Sequence, residues 1–462
     1  MNTTFPPVLR ASTLREAFAS RRITPSAVAE EVLSRLRNHP YGEVWTKLED
    51  PARIMERAKA LDKRIDDISS LPLYGLPFGV KDNVHVQGMA TTCGCPAFSR
   101  LPAESATAVR KVMEAGAIFI GKQALDQFAT GLNGTRTLGA HCLNVFDPAV
   151  IPGGSSSGSG VAVAGGLVSF SLGSDTGGSG RVPAAMNNIV GVRPTVGLVS
   201  SQGLVFNNRQ FDCIPVFAPS VADAFAVLGV IAGYDAHDPY SRAEYDGLDL
   251  YRDLPGTFVF GVPAALEFFG DNESKRCFEQ AIDRLVSIGG TPVAFDFGEF
   301  SAAGELIFES AWVAERAASY GTVLDESPGD LVPAVAAILE RARRYSAVDA
   351  FNAQYRLQAL KRSVSDRLRG LDVLVTPTVP RAFTVAEMKS EPMSRNAQVG
   401  YYTYGVGPLD LCAISVPAAI RADGVPFGLS IVARAGEDWK LRALGGRFES
   451  ATGLKPGVEA KG

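Results

Sequence analysis

Two turns rich in glycine and serine lie close together in the chain, Gly153-Gly154-Ser155-Ser156-Ser157-Gly158-Ser159-Gly160 and Asp175-Thr176-Gly177-Gly178-Ser179-Gly180-Arg181, with the apolar stretch Val161 to Leu172 between them. A serine hydroxyl becomes a nucleophile once a base takes its proton, and consecutive glycines let backbone N–H groups converge on one point without Cβ obstruction. The pairing predicts a serine hydrolase with an oxyanion hole. Gly/Ser density alone is also the composition of a flexible linker. Against a linker, Val161, Val163, Leu167 and Val168 alternate with Ala and Gly, as in a tightly packed helix running into a strand. Such packing holds the first turn rigid and puts Ser155 to Ser157 at a helix N-terminus, where unpaired N–H groups favour developing negative charge. The second turn follows a strand at Val168 to Leu172 and precedes a helix starting near Pro183.

Three arrangements compete for the chemistry. Gly154-Ser155-Ser156-Ser157-Gly158 fits the nucleophile elbow of α/β-hydrolases, which needs an acid and then a histidine downstream. Only His237 follows it, in the polar stretch Ala236-His237-Asp238-Pro239. Gly116 to Lys122 carries the glycines and lysine of a phosphate loop, but Gln123 stands where magnesium needs Ser or Thr, and Ala117-Ile118-Phe119-Ile120 is strand-like. The third uses Lys81, which ends the apolar strand in Phe78-Gly79-Val80-Lys81-Asp82-Asn83. A lysine there either snorkels to solvent or is buried and partly discharged. Burial among hydroxyls, without a carboxylate partner, lowers its pKa so that the neutral amine accepts a proton. None of the four histidines adjoins either serine turn, which favours the lysine as base.

These residues need a scaffold, and the chain is long enough to supply one. Its 462 residues are 46% hydrophobic and 20% charged, with a net charge of −4 and no long run of either sign. That balance predicts a globular protein with no nucleic-acid partner. No apolar stretch is long enough for a membrane span and the first residues lack a signal peptide's pattern, so a cytoplasmic protein is expected. Cys93 and Cys95 have no second pair to complete a zinc site, and six cysteines are too sparse for a disulfide framework. Helical spacing at Pro25 to Arg37 and Pro51 to Asp62 predicts a helical N-terminal layer over residues 1–70. From Leu73, short apolar runs alternate with turns and helical stretches: Phe78 to Val80, Thr107 to Glu114, Ala117 to Gly121 and Val168 to Leu172. Thr257 to Pro263, Glu273 to Ile288 and Thr291 to Phe295 form another strand, helix and strand, and long helices continue to Asp366. Leu371 to Val375 and Leu429 to Ala433 supply late strands, and Tyr234 to Leu254 is a surface excursion. The pattern is α/β, a mixed β-sheet core flanked by helices on both faces.

Phe78-Gly79-Val80-Lys81-Asp82-Asn83, the first serine turn, and Gly173-Ser174-Asp175-Thr176-Gly177-Gly178-Ser179-Gly180-Arg181-Val182-Pro183-Ala184-Ala185 together resemble the amidase-signature family in order and spacing. The resemblance covers nearly the whole chain, including Leu371 to Thr378 and Gly424 to Leu429. It implies one compact catalytic domain over residues 71–455, and a triad in which Ser179 is the nucleophile, Ser155 a bridging serine on a cis peptide bond and Lys81 the base. The backbone N–H groups of Thr176, Gly177, Gly178 and Ser179 would hold the oxyanion, and no metal or organic cofactor is required. Gly180, where many members carry Ile, the segment Asp126 to Leu132, and Trp312-Val313-Ala314-Glu315-Arg316 look like the amidase half of allophanate hydrolase.

By that resemblance Arg316 would grip a substrate carboxylate, with Gly131, Ser156, Phe308 and Tyr404 also lining the substrate site. A surface salt bridge is the plainer role for such an arginine. Three positions depart from the pattern: Phe308 replaces a substrate-binding tyrosine, Tyr404 an asparagine, and Gly177 an alanine. The C-terminal decarboxylation-assisting domain of those enzymes is expected to be missing. The expected substrate is a small amide, urea-type or carbamate molecule, with allophanate foremost and a bulkier, less polar amide or carbamate as the alternative. Phe308 and the Tyr401, Tyr402 and Tyr404 cluster would line a bulkier pocket, or be ordinary core. A homodimer is expected, and the alternative of another class is an amidotransferase-type component that works within an assembly.

Overall fold

The computed structural model describes residues 5 to 461. Eleven strands form one mixed sheet: β1 (Trp45–Leu48), β2 (Pro77–Lys81), β3 (Ile118–Gln123), β4 (Phe170–Leu172), β5 (Val190–Arg193), β6 (Val216–Ala218), β7 (Phe258–Pro263), β8 (Gly290–Phe295), β9 (Val373–Pro377), β10 (Leu411–Ile420) and β11 (Pro426–Arg434). Their order across the sheet is β1-β3-β2-β4-β6-β5-β10-β11-β9-β7-β8. The β3-β2-β4 and β9-β7-β8 groups are parallel, and antiparallel pairs join them through β6, β5, β10 and β11.

Helices α1 (Ala11–Ala19), α2 (Pro25–Asn38) and α3 (Pro51–Asp62) make the N-terminal layer. The segment is not helical throughout, since Trp45–Leu48 adds an antiparallel edge strand to β3. Proline at the first helical position and a capping Thr24 or Asp50 start α2 and α3. Farther along lie α4 (Thr107–Glu114), α5 (Ser157–Ala164), α6 (Val182–Met186), α7 (Val221–Ile231), α8 (Asn272–Ser287), α9 (Gly298–Glu309) and α10 (Ala314–Tyr320). α5 and α6 pack on each other and on the sheet, while α7, α8 and the helix Asp438–Thr452 form a second group against it.

The two serine turns are placed by this packing. β2 and β4 run parallel side by side, Phe78 opposite Phe170 and Val80 opposite Leu172, so Lys81 and Gly173 both emerge at the carboxyl ends of neighbouring strands. The chain between them carries the first turn, which leads into α5. That helix reads Ser-Gly-Ser-Gly-Val-Ala-Val-Ala and is wholly buried, although its glycines are poor helix formers. Close approach explains them: a Cβ on Gly158 would lie 2.5 Å from Val44 O, and one on Gly160 2.9 Å from Pro183 Cβ. Tertiary packing outweighs propensity here.

Beneath the second turn, Asp175 is fully buried and anchors the corner. Its carboxylate takes Arg181 Nε at 3.0 Å, Arg193 Nη1 at 3.2 Å, and the backbone N–H groups of Gly178 at 2.8 Å and Gly180 at 2.9 Å. Burial opposes its ionisation, yet the two guanidiniums outweigh that and hold its carboxyl well below the usual carboxylate range. Arg181 leads into α6 and Arg193 ends β5, so one carboxylate ties turn, helix and strand. Asp175→Ala should leave two buried cations without their counter-charge and cost about 3–5 kcal/mol, read as a fall in the urea unfolding midpoint. Asp66→Ala, which breaks the exposed pair with Arg21, should cost at most about 1 kcal/mol in the same assay.

Candidate active site

Lys81, Ser155 and Ser179, far apart in sequence, meet at the strand ends. Lys81 Nζ lies 2.6 Å from Ser155 Oγ, which is in hydrogen-bond contact with Ser179 Oγ at 2.8 Å. All three side chains are buried, and the Gly154–Ser155 peptide bond is cis. A Cβ on Gly154 would lie 2.1 Å from Asp126 Oδ2, so only glycine fits before Ser155. Burial pushes the Lys81 amine down to about 7, against the attraction of Asp126, Asp212 and Asp175 and the smaller pull of Cys93. None of these carboxylates forms a salt bridge with it. Asp126 is engaged by the backbone N–H groups of Asn133, Gly134 and Arg136, Asp175 by its two arginines, and Asp212 by Thr176 Oγ1 and the N–H groups of Asn207 and Asn208.

The lysine has a second hydroxyl neighbour that the sequence motifs contain but do not single out. Nζ donates to Ser174 Oγ at 2.8 Å, and Asn83 Nδ2 donates to the same oxygen at 3.0 Å. Ser174 lies two residues past the end of β4 and one before Asp175. Its position just past the carboxyl end of β4, beside the end of β2 that carries Lys81, was the available signal.

Of the four N–H groups expected to face an oxyanion, Gly178 is a correction: its N–H donates to Asp175 Oδ1, because the positive φ of 142° turns the amide inward to that carboxylate. Thr176, Gly177 and Ser179 have N–H groups with no acceptor among the described residues. Those three residues also line a small cavity of about 20 Å³, together with Gly131, Asn207, Phe308, Arg316 and Tyr404, among others. Ser156 does not line it, which corrects its expected place in the substrate site. Its Oγ donates to Ser174 O at 3.1 Å and helps join the two serine turns. Gly131 does line it, and a Cβ there would meet Asp126 Oδ2 at 2.6 Å.

Arg316, on α10, is 2% exposed and makes no salt bridge among the described residues, so a surface ion pair is not its role. Nη1 donates to Ile307 O at 2.9 Å, the guanidinium lies 5.0 Å from the Phe308 ring centroid, and Nε has no partner among the described residues. Burial pushes its pKa down, countered by Tyr320, Asp212 and Glu315. An arginine held this way keeps donor capacity that could meet an anion.

Phe308 and Tyr404 pack edge to face, 4.6 Å between centroids, and separate this cavity from a wider vestibule of about 510 Å³ that also holds Arg136, Arg341, Asn396 and Tyr401. Tyr402 is core, its hydroxyl bonded to the Glu267 backbone. Two of the departures from pattern are one event: a Cβ on Gly177 would lie 2.7 Å from Tyr404 Cδ1, so the tyrosine ring takes the room of the missing methyl. Gly180 has a similar cause, since a Cβ there would meet Pro215 Cβ at 2.6 Å. The competing sites do not form. His237 is exposed on a surface turn, and Gly116 to Lys122 runs into β3, with Lys122 paired to Asp82 at 3.2 Å.

Comparison with known proteins agrees with this geometry. The family model described as Amidase matches residues 42–441. The urea amidolyase of Lachancea kluyveri is 37% identical over 92% of this chain, and the chain spans only 23% of that protein's length. The A-type component of the glutamyl-tRNA(Gln) amidotransferase from Exiguobacterium sibiricum is 34% identical, covering 85% of this chain and 87% of that one. The solved allophanate hydrolase of Kluyveromyces lactis superposes with a TM-score of 0.90 at 32% identity, over 97% of this chain and 74% of that one. With buried lysine, hydroxyls and glycine corner on one fold, and a family match across most of its length, this chain belongs to the amidase-signature family of C–N bond hydrolases.

Proposed function

We propose that this chain hydrolyses a C–N bond of a small, carboxylate-bearing amide or urea-type substrate, as an allophanate hydrolase does, through Ser179, Ser155 and Lys81. The observation that carries the proposal is the unbroken hydroxyl path from a buried lysine without a carboxylate partner to Ser179, which borders the cavity that Arg316 lines.

Ser179 Oγ attacks the carbonyl carbon, its proton passes to Ser155, and the Ser155 proton passes to neutral Lys81 Nζ. The carbonyl electrons move onto oxygen, and the N–H groups of Thr176, Gly177 and Ser179 are the donors free to hold that anion. Collapse breaks the C–N bond as the Lys81 ammonium returns a proton through Ser155 to the leaving nitrogen. Water then attacks the Ser179 ester by the same relay, releasing the acid and restoring the serine. Arg316 meets the substrate carboxylate with its free donor edge. The Phe308–Tyr404 wall and the small cavity favour a compact anion over a bulky carbamate.

Ser179→Ala and Lys81→Met should each lower ammonia release at least about 10⁴-fold, and full activity in either would sink the relay. Because only the unprotonated amine accepts the Ser155 proton, kcat/KM should be low in acid, rise with pH through about 7 and then level off. A profile flat from pH 5 to 9 would argue against a lysine base. Arg316→Ala should slow anionic substrates about 10²-fold and leave neutral amides nearly unchanged; equal slowing of both would remove its carboxylate role. The purified chain should release ammonia without a partner, whereas dependence on one would favour the amidotransferase-type alternative.

A further inference from the structure

Among the side chains that line the Ser179 cavity, two carry a buried polar atom without a partner among the described residues: Arg316 Nε, a donor, and Asn207 Oδ1, an acceptor. Asn207 is 2% exposed. Its Nδ2 faces three acceptors, Phe128 O and Ala129 O at 3.2 Å each and Thr130 Oγ1 at 2.9 Å. The opposite amide orientation would press Oδ1 against two carbonyl oxygens, so the network fixes Oδ1 away from that wall. The residue is held firmly as well. Asp212 accepts its backbone N–H, and Glu315, beside Arg316 on α10, accepts from Asn208 Nδ2 and Arg209 N. The acceptor and the guanidinium are thereby set on one rigid frame. A buried acceptor kept unpaired is costly unless a ligand satisfies it.

We infer that Asn207 is a specificity-determining residue whose Oδ1 accepts a hydrogen bond from the substrate N–H that links the scissile carbonyl to the carboxylate. With the carboxylate on Arg316 and the carbonyl at Ser179, the linking atom is what remains to be read, and Asn207 offers the free acceptor. The cavity then selects carboxylated ureas over carboxylated amides of the same length, in which that atom is carbon. This rests on the proposed Ser179 hydrolysis.

Allophanate and malonamate differ in that one atom, N–H against CH₂, and both would release ammonia. The measurement is kcat/KM for each, in wild type and in Asn207→Ala, with Asn207→Leu as a second variant that fills the space without an acceptor. Taking the allophanate-to-malonamate ratio in variant against wild type cancels their different intrinsic reactivities. That ratio should fall at least about tenfold in both variants, with malonamate turnover little changed. An unchanged ratio, including equal loss on both substrates, would overturn the role of Asn207 and leave the Ser179 proposal standing. Wild type inactive on both would overturn the two together.

Discussion

The site depends on keeping one amine out of water and out of reach of any carboxylate. Lys81 sits at the end of β2 with hydroxyls as its hydrogen-bond neighbours, Ser155 on one side and Ser174 on the other. A carboxylate in contact would stabilise the ammonium and leave no free base near neutral pH. Three buried aspartates lie near enough to be felt, yet each is occupied: Asp126 by backbone N–H groups, Asp175 by two arginines, and Asp212 by Thr176 and the Asn207–Asn208 backbone. Those aspartates hold the loops that carry the serines and the cavity wall. The same carboxylates build the site and are prevented from neutralising it.

Glycine makes that arrangement sterically possible, and at two places the need is specific. Gly154 lies so close to Asp126 that no Cβ fits, and Gly178 adopts a positive φ that turns its amide to Asp175. The inward turn of one amide uses the Asp175 carboxylate, and its neighbours Gly177 and Ser179 keep N–H groups without an acceptor among the described residues. The family resemblance implied four N–H groups converging on one point. Coordinates separate the amide that anchors the corner from those left without an acceptor.

Much of the fold was legible because its elements carry local signals. Pro51–Asp62 and Thr107–Glu114 have helical spacing and clean ends, and Phe258–Pro263 with Gly290–Phe295 brackets an amphipathic helix. Strands whose signal is non-local were missed. Leu411–Ile420 runs through the middle of the sheet, yet its Ala residues and Pro417 weaken a strand pattern; the register shifts just after that proline. Trp45–Leu48 is short, mostly exposed and flanked by helices, so only its pairing with β3 defines it. Within the site, Lys81, Ser155 and Ser179 stood out by motif. Ser174 and Asn207 did not, because their meaning lies in which partner each lacks or shares, and partners are set by tertiary contact.

The departures at Gly177, Phe308 and Tyr404 are best understood together. Tyr404 fills the room a methyl at 177 would need, packs edge to face on Phe308, and hydrogen-bonds Asn396 through its hydroxyl. Phe308 in turn lies under the Arg316 guanidinium. The result is an apolar wall with its polar end turned away, toward the vestibule side where Asn396 lies, and not into the Ser179 cavity. A wall of this kind supplies shape without hydrogen bonds, so under the proposed function recognition would fall to the polar atoms without partners on the lining residues: backbone N–H groups, Arg316 Nε and Asn207 Oδ1. A hydroxyl lost at position 308 therefore does not make the cavity indifferent to polarity. Under the proposed function it moves the discrimination to other atoms, which would favour an anion that also donates a hydrogen bond.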